Sequence, residues 1–261
     1  GIDISTGKEN KVILSNIVPK PEPKDRIVNI TGLSTIKEKL VIKQVSENDG
    51  IVTTENITSS NQKISSIFGI NPGDDSIDFI TENNKNVTLL TQQINITLDT
   101  LVNSINNENI VHDVILDSLV NFIDETLDDP NTPDVLNLSE FTNIINIITQ
   151  VSNDNDIFIE NDVVTNVANF ISQTNDLIDD VDIENNSYEE IFKEVAQISV
   201  AASNKSKDVE TDWAIVVDVP NSEEIEAVDI RIIFQPFIKP FCPPIPVYVE
   251  PTITAEILKP S

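Results

Sequence analysis

Methionine is absent from all 261 residues, and residue 1 is Gly1. Translation begins on Met. The chain is therefore expected to be cut from a longer product by a signal peptidase or maturation protease, to be one module of a giant protein, or to be part of a longer sequence. Cysteine occurs once, at Cys242, which excludes an internal disulfide and leaves the redox compartment unread. Aromatic residues make up only 5%, with one Trp and two Tyr, so the core has to be built from Ile, Val and Leu. The same scarcity argues against a hydrolase with paired carboxylates, whose substrate cleft is ordinarily lined with aromatic rings. Positive charge is also short: 16 Lys and Arg stand against 44 Asp and Glu, for a net charge of −28. Nucleic-acid binding needs a cationic surface to displace counterions, and an anionic membrane face would repel such a chain. No apolar run approaches the roughly 20 residues of a membrane span.

What is present is a folding sequence. Hydrophobic residues are 39%, well above an acidic disordered tail, and the length suits one large domain or two small ones. So high a negative charge implies a solvated surface in a salt-rich or calcium-bearing medium, or simply an acidic soluble protein. Asn-X-Ser/Thr triplets at Asn29, Asn56, Asn86, Asn95, Asn137, Asn185 and Asn204 are no more than an Asn-rich chain produces by chance.

Three regions follow from composition and period. Residues 1–31 read as an extended or β segment, with "KVILSNIV" and "RIVNIT" separated by the stiff linker "PKPEPKD". Residues 32–203 read as a helical bundle. It opens with a helix capped by Ser34 and spaced through Ile36, Leu40 and Val41. A Ser/Thr/Asn-rich loop follows, then a short helix "QKISSIFGI" closed by Asn71-Pro72-Gly73. Five apolar stripes come next. The first is Val87, Leu90, Ile94, Leu98, Leu101 and Ile105, and the second Val111, Ile115, Leu119, Phe122 and Thr126. Phe141, Ile144, Ile145, Ile148 and Val151 make the third, and Val163, Val167, Phe170, Ile171, Leu177 and Ile178 the fourth. Tyr188, Ile191, Val195, Ile198 and Ala202 make the fifth. Short polar connections predict antiparallel neighbours.

From residue 204 to 261 the period changes to two, in runs at Trp213–Val219, Val228–Phe234 and Ile245–Ile257. The expected fold class is therefore α+β: a mainly helical antiparallel bundle flanked by N- and C-terminal strands that form a small sheet.

"GIDISTG" at the start, "VNITGLSTI", "QKISSIFGI", "LTQQINITLDTLV", "VVTNVANFISQTNDLIDD" and "IFKEVAQISVAA" form a series over residues 1–203. Together they resemble a module repeated in very large secreted, adhesin-like proteins of marine bacteria. The resemblance implies a β entry followed by a helical array, a surface setting and no enzymatic residues. The proline linker and the β tail depart from that pattern.

Chemistry-bearing residues are few. His112, the only histidine, lies beside Asp113 without a framing nucleophile motif and reads as a helix-surface residue. "DPNTPDVLNLSE" fits part of a twelve-residue calcium loop, placing Asp129, Asn131, Asn137 and Glu140 at positions 1, 3, 9 and 12, with apolar Leu136 at position 8. Pro133 and Asp134 break that pattern at positions 5 and 6, and the competing reading is a turn with Asp and Asn caps. Calcium could also bridge "NDND" at 153–156 and "DDVD" at 179–182. Cys242, before two prolines, is either a buried thiol or a site for an intermolecular disulfide.

In the tail, Ile245, Val247, Val249, Ile253, Ala255 and Ile257 share one face, and Pro246 and Pro251 favour an edge position. That strand pairs either within the chain or with a neighbouring copy. The expected function is a non-enzymatic structural subunit or module of an extracellular filament, surface layer or adhesin, partnered by other copies or neighbouring modules. Neither nucleic acid nor membrane insertion is expected. The alternatives are a calcium-dependent module binding a surface or glycan, and a virion surface protein.

Overall fold

Seven α-helices, with no β-strand between them, account for the regular structure of the described residues. A computed structural model describes residues 15–17, 30–47, 50–72, 74, 84–105, 107, 109–128 and 135–206. All fall within one unit, Gly1–Ser222; a second unit, Glu223–Ser261, lies outside the described residues. The helices are α1 (Gly32–Glu47), α2 (Thr54–Phe68), α3 (Lys85–Ser104), α4 (His112–Asp128), α5 (Phe141–Asp154), α6 (Asn161–Asp179) and α7 (Tyr188–Lys205).

The α+β expectation is thus corrected to an all-α body. At the N-terminal side the physical reason is visible. Residues 15–17 pass along α1, and the backbone of Ser15 is satisfied by side chains instead of a strand ladder. Its N–H donates to Thr35 Oγ1 at 2.9 Å, and its carbonyl accepts from Ser34 Oγ at 2.8 Å. Ile17 packs on the small cluster of Val41, Val45 and Ile57, so its β-branched side chain serves burial against a helix. The expected C-terminal strands, including Ile245, Val247, Val249, Ile253, Ala255 and Ile257, lie outside the described residues, as does Cys242.

Local chemistry sets the helix starts. Ser34 is the third residue of α1, and the cap is Thr31: Thr31 N–H donates to Ser34 Oγ and Ser34 N–H to Thr31 Oγ1, at 2.9 and 3.1 Å. Helix α2 begins at Thr54, inside the segment expected to be a loop, because Thr53 and Asn56 form the same reciprocal box. It stops at Gly69, whose φ of 64° is the left-handed conformation that ends helices, before the expected Asn71-Pro72-Gly73 stop. Ser187 and Glu190 cap α7 in the same manner.

Helix α3 is the centre, packed against α1, α4, α6 and α7. Its expected stripe is buried at Val87, Ile94, Leu98 and Leu101, and so are Thr91 and Thr97 beside it and Thr88, Gln93, Thr100 and Ser104 farther round the helix. Several of these have partners on neighbouring helices: Thr88 Oγ1 with Tyr188 OH, Thr97 Oγ1 with Asn175 Nδ2, and Ser104 Oγ with the Ser206 carbonyl. These contacts also fix direction. Helix α7 follows α3 from Thr88–Tyr188 to Ser104–Ser206 and so runs parallel to it. Lys39 and Lys43 meet successively later residues of α4, so α1 and α4 are parallel too. At the start of α4, Val111 is exposed, and the core positions are Ile115, Leu116, Leu119, Val120 and Ile123.

Candidate functional site

Three polar assemblies stand out on this scaffold. The first is a charge seam where α1 and α2 meet α4. Lys39 Nζ lies 2.7 Å from Asp113 and 2.6 Å from Asp117. Lys43 donates to Asn121 Oδ1 at 3.0 Å and pairs with Asp124 at 3.1 Å, and Lys63 of α2 reaches the other oxygen of Asp124. Helical spacing explains the match: Lys39 and Lys43 are four apart on α1, and Asp113, Asp117, Asn121 and Asp124 recur every three or four residues on α4. Burial works against the Lys39 charge, but Asp113 and Asp117 outweigh it and hold the ammonium above the ordinary lysine value. Burial likewise pushes Asp124 up, yet Lys63 and Lys43 prevail and hold its carboxyl below the ordinary aspartate value.

The second is a buried network between α3, α6 and the residues entering α5. Gln93 Nε2 donates to Asp179 Oδ1 at 2.8 Å and to the Asn175 carbonyl at 3.2 Å. Ser139 Oγ donates to Asp179 Oδ2, Ser172 Oγ donates to the Ser139 carbonyl, and Asn175 Nδ2 donates to the Leu138 carbonyl. Leu136 and Leu138 are buried, and Leu136 N–H caps the Ile67 carbonyl near the end of α2. This places the second half of the expected calcium loop. Asn137 Oδ1 accepts from Ser139 N–H at 2.8 Å, a local Asx turn, and Glu140 is the residue before α5. Asp129 and Asn131 lie outside the described residues. Near Glu140, burial and the charges of Asp179, Asp180 and Glu140 push the Asp176 carboxyl above its ordinary value. Among the described residues no three His, Cys, Asp or Glu side chains form a group that could hold a metal.

The third is His112, which is 8% exposed and so is not the surface residue its sequence context suggested. Its Nε2 lies 2.6 Å from Asp99 Oδ1 on α3, while the neighbouring Asp113 is taken by Lys39. The pair ties the first residue of α4 to the central helix.

The charge seam is the feature that sequence reading missed, and its signal was the shared helical period of lysines on one helix and aspartates on another. A second missed signal is a gap: no Lys or Arg occurs between Lys85 and Lys193. Lys85 itself turns inward to the Ile183 and Asn186 carbonyls. From α3 to the start of α7 the exterior is therefore left to carboxylates and amides. No helix among the described residues is long and apolar enough to cross a membrane. No family model, curated protein or solved structure matches the chain.

Proposed function

We propose that the chain is a non-enzymatic structural module of an extracellular or cell-surface assembly. The helical unit forms its body, and the C-terminal segment connects it to other copies or neighbouring modules. The observation that carries this reading is the division of charge. Lys39, Lys43, Lys63 and Lys85 are drawn into contacts that hold the body together, leaving the outer surface strongly anionic. Such a body repels its own kind until salt screens it, so a separate connecting segment has to join one copy to the next. The likeness of residues 1–203 to modules of giant secreted adhesin-like proteins points the same way. A protein of a virion surface is a variant of the same reading.

The test is location and assembly together. Antibody labelling of intact source material, viewed by electron microscopy, should decorate an outer surface or appendage, and deleting residues 245–261 should change the assembly state of the purified chain. Labelling confined to the cell interior would overturn the reading.

A second reading, a calcium-dependent binding module, rests on the excess of carboxylates over basic residues, since the described carboxylates form no group that could hold a metal. Calcium would then raise the melting temperature well beyond the effect of sodium at equal ionic strength. Equal effects would dismiss it.

A further inference from the structure

The six residues between α5 and α6 run Asn155-Asp156-Ile157-Phe158-Ile159-Glu160, and Phe158 is 88% exposed, far more than any other large apolar side chain among the described residues. Burial alternates along the loop: Ile157 and Ile159 pack on the core, and Phe158 between them faces water.

The loop is firmly held. Asn155 Nδ2 donates to Ser118 Oγ at 3.2 Å and to the Val151 carbonyl at 2.8 Å. Ser152 and Ile157 exchange two bonds: Ile157 N–H donates to the Ser152 carbonyl at 3.0 Å, and Ser152 Oγ donates to the Ile157 carbonyl at 2.6 Å. Asp156 takes a left-handed φ of 50° to turn the chain into this segment.

Along the chain on either side of the ring the charge has one sign, and across the fold Lys43 comes within one amide, that of Asn121, of Asp154. Asp154, Asp156, Glu160 and Asp162 are all exposed, within the stretch that has no Lys or Arg. An aromatic side chain presented on a pre-formed loop is the usual form of a binding anchor, because little conformational freedom is lost when it docks.

We propose that Phe158 is the anchor of a docking point for a basic protein partner, one that offers an apolar pocket rimmed by Lys or Arg. The pocket takes the ring, and the rim meets the four carboxylates and can also sit over the ring face. The carboxylates repel anionic lipid and nucleic acid, which leaves a cationic protein segment as the occupant. This docking point holds whether or not the chain builds a filament.

The test uses the whole chain and two labelled peptides of equal charge, one amphipathic with Lys and Leu, the other with Lys and Ser. The Lys/Leu peptide should bind more tightly, and Phe158→Ala should weaken it by about tenfold or more. The same variant should leave Lys/Ser binding and the melting temperature unchanged, and Phe158→Leu should recover part of the loss. The proposal is overturned if Phe158→Ala binds the Lys/Leu peptide like the parent, or if the parent does not distinguish the peptides. It is also overturned if the variant melts several degrees lower, which would make the ring structural. Loss of self-association on sedimentation of Phe158→Ala would instead name a second copy as the occupant.

Discussion

Gln93 on the central helix donates to Asp179 near the end of α6, at 2.8 Å, and so connects two helices that run in opposite directions. Gln93 is 6% exposed, so its amide has no alternative partner in water. Gln93→Ala should lower the unfolding free energy by about 1–2 kcal/mol, read from a urea melt. Gln93→Glu should be worse at neutral pH, because it sets a second carboxylate against Asp179, and it should recover in acid as that pair is protonated.

Gly32 opens α1 against α3 with no room to spare. A Cβ there would stand 2.9 Å from Ile94 Cγ2 and 3.2 Å from Asn95 Oδ1. Gly32→Ala should therefore destabilise by about 1–3 kcal/mol through overpacking, although alanine is the better helix former. A melting temperature equal to or above that of the parent would contradict this packing.

The charge seam predicts a two-sided pH dependence. Asp124 is held below its ordinary value. Its contribution is full above the unfolded value of about 3.9 and is lost as pH falls through the lower folded value. Lys39 is held above its ordinary value. Its contribution is full below the unfolded value of about 10.4 and is lost as pH rises through the higher folded value. Asp124→Asn should cost about 1–2 kcal/mol at neutral pH and flatten the acid limb of a stability profile. Lys39→Met should flatten the alkaline limb and leave the acid limb in place.

Much of the body was legible from period alone. The stripes of α3 and α5–α7 fall on buried or half-buried positions, as spacings of three and four require. The errors have separate physical causes. "TENITSS" reads as a loop by composition, but a Thr53–Asn56 box is enough to start a helix there. The run around Ser15 reads as a strand by its β-branched residues, but two hydroxyls on α1 replace the ladder. The apolar stripe of α3 says nothing of Thr88, Gln93 and Thr100, whose burial shows only once four neighbouring helices are known to surround it. The seam was hidden because Lys39 and Asp117 lie 78 residues apart, and only the fold shows that α1 and α4 run side by side.

The clasp on Ser15 bears on how the body would carry load. A pull on the chain before residue 15 reaches α1 through Ser34 and Thr35, and α1 is seated on α3 at Gly32 and Ile94. A pull beyond residue 206 reaches α3 directly, through Asn103 and Ser104 on Ser206. Both ends of the described body thus hang on α3, and α5, packed on α4 and α6, lies off that path. With the chain pulled at both sides of this body, α1, α3 and α7 would bear the stress.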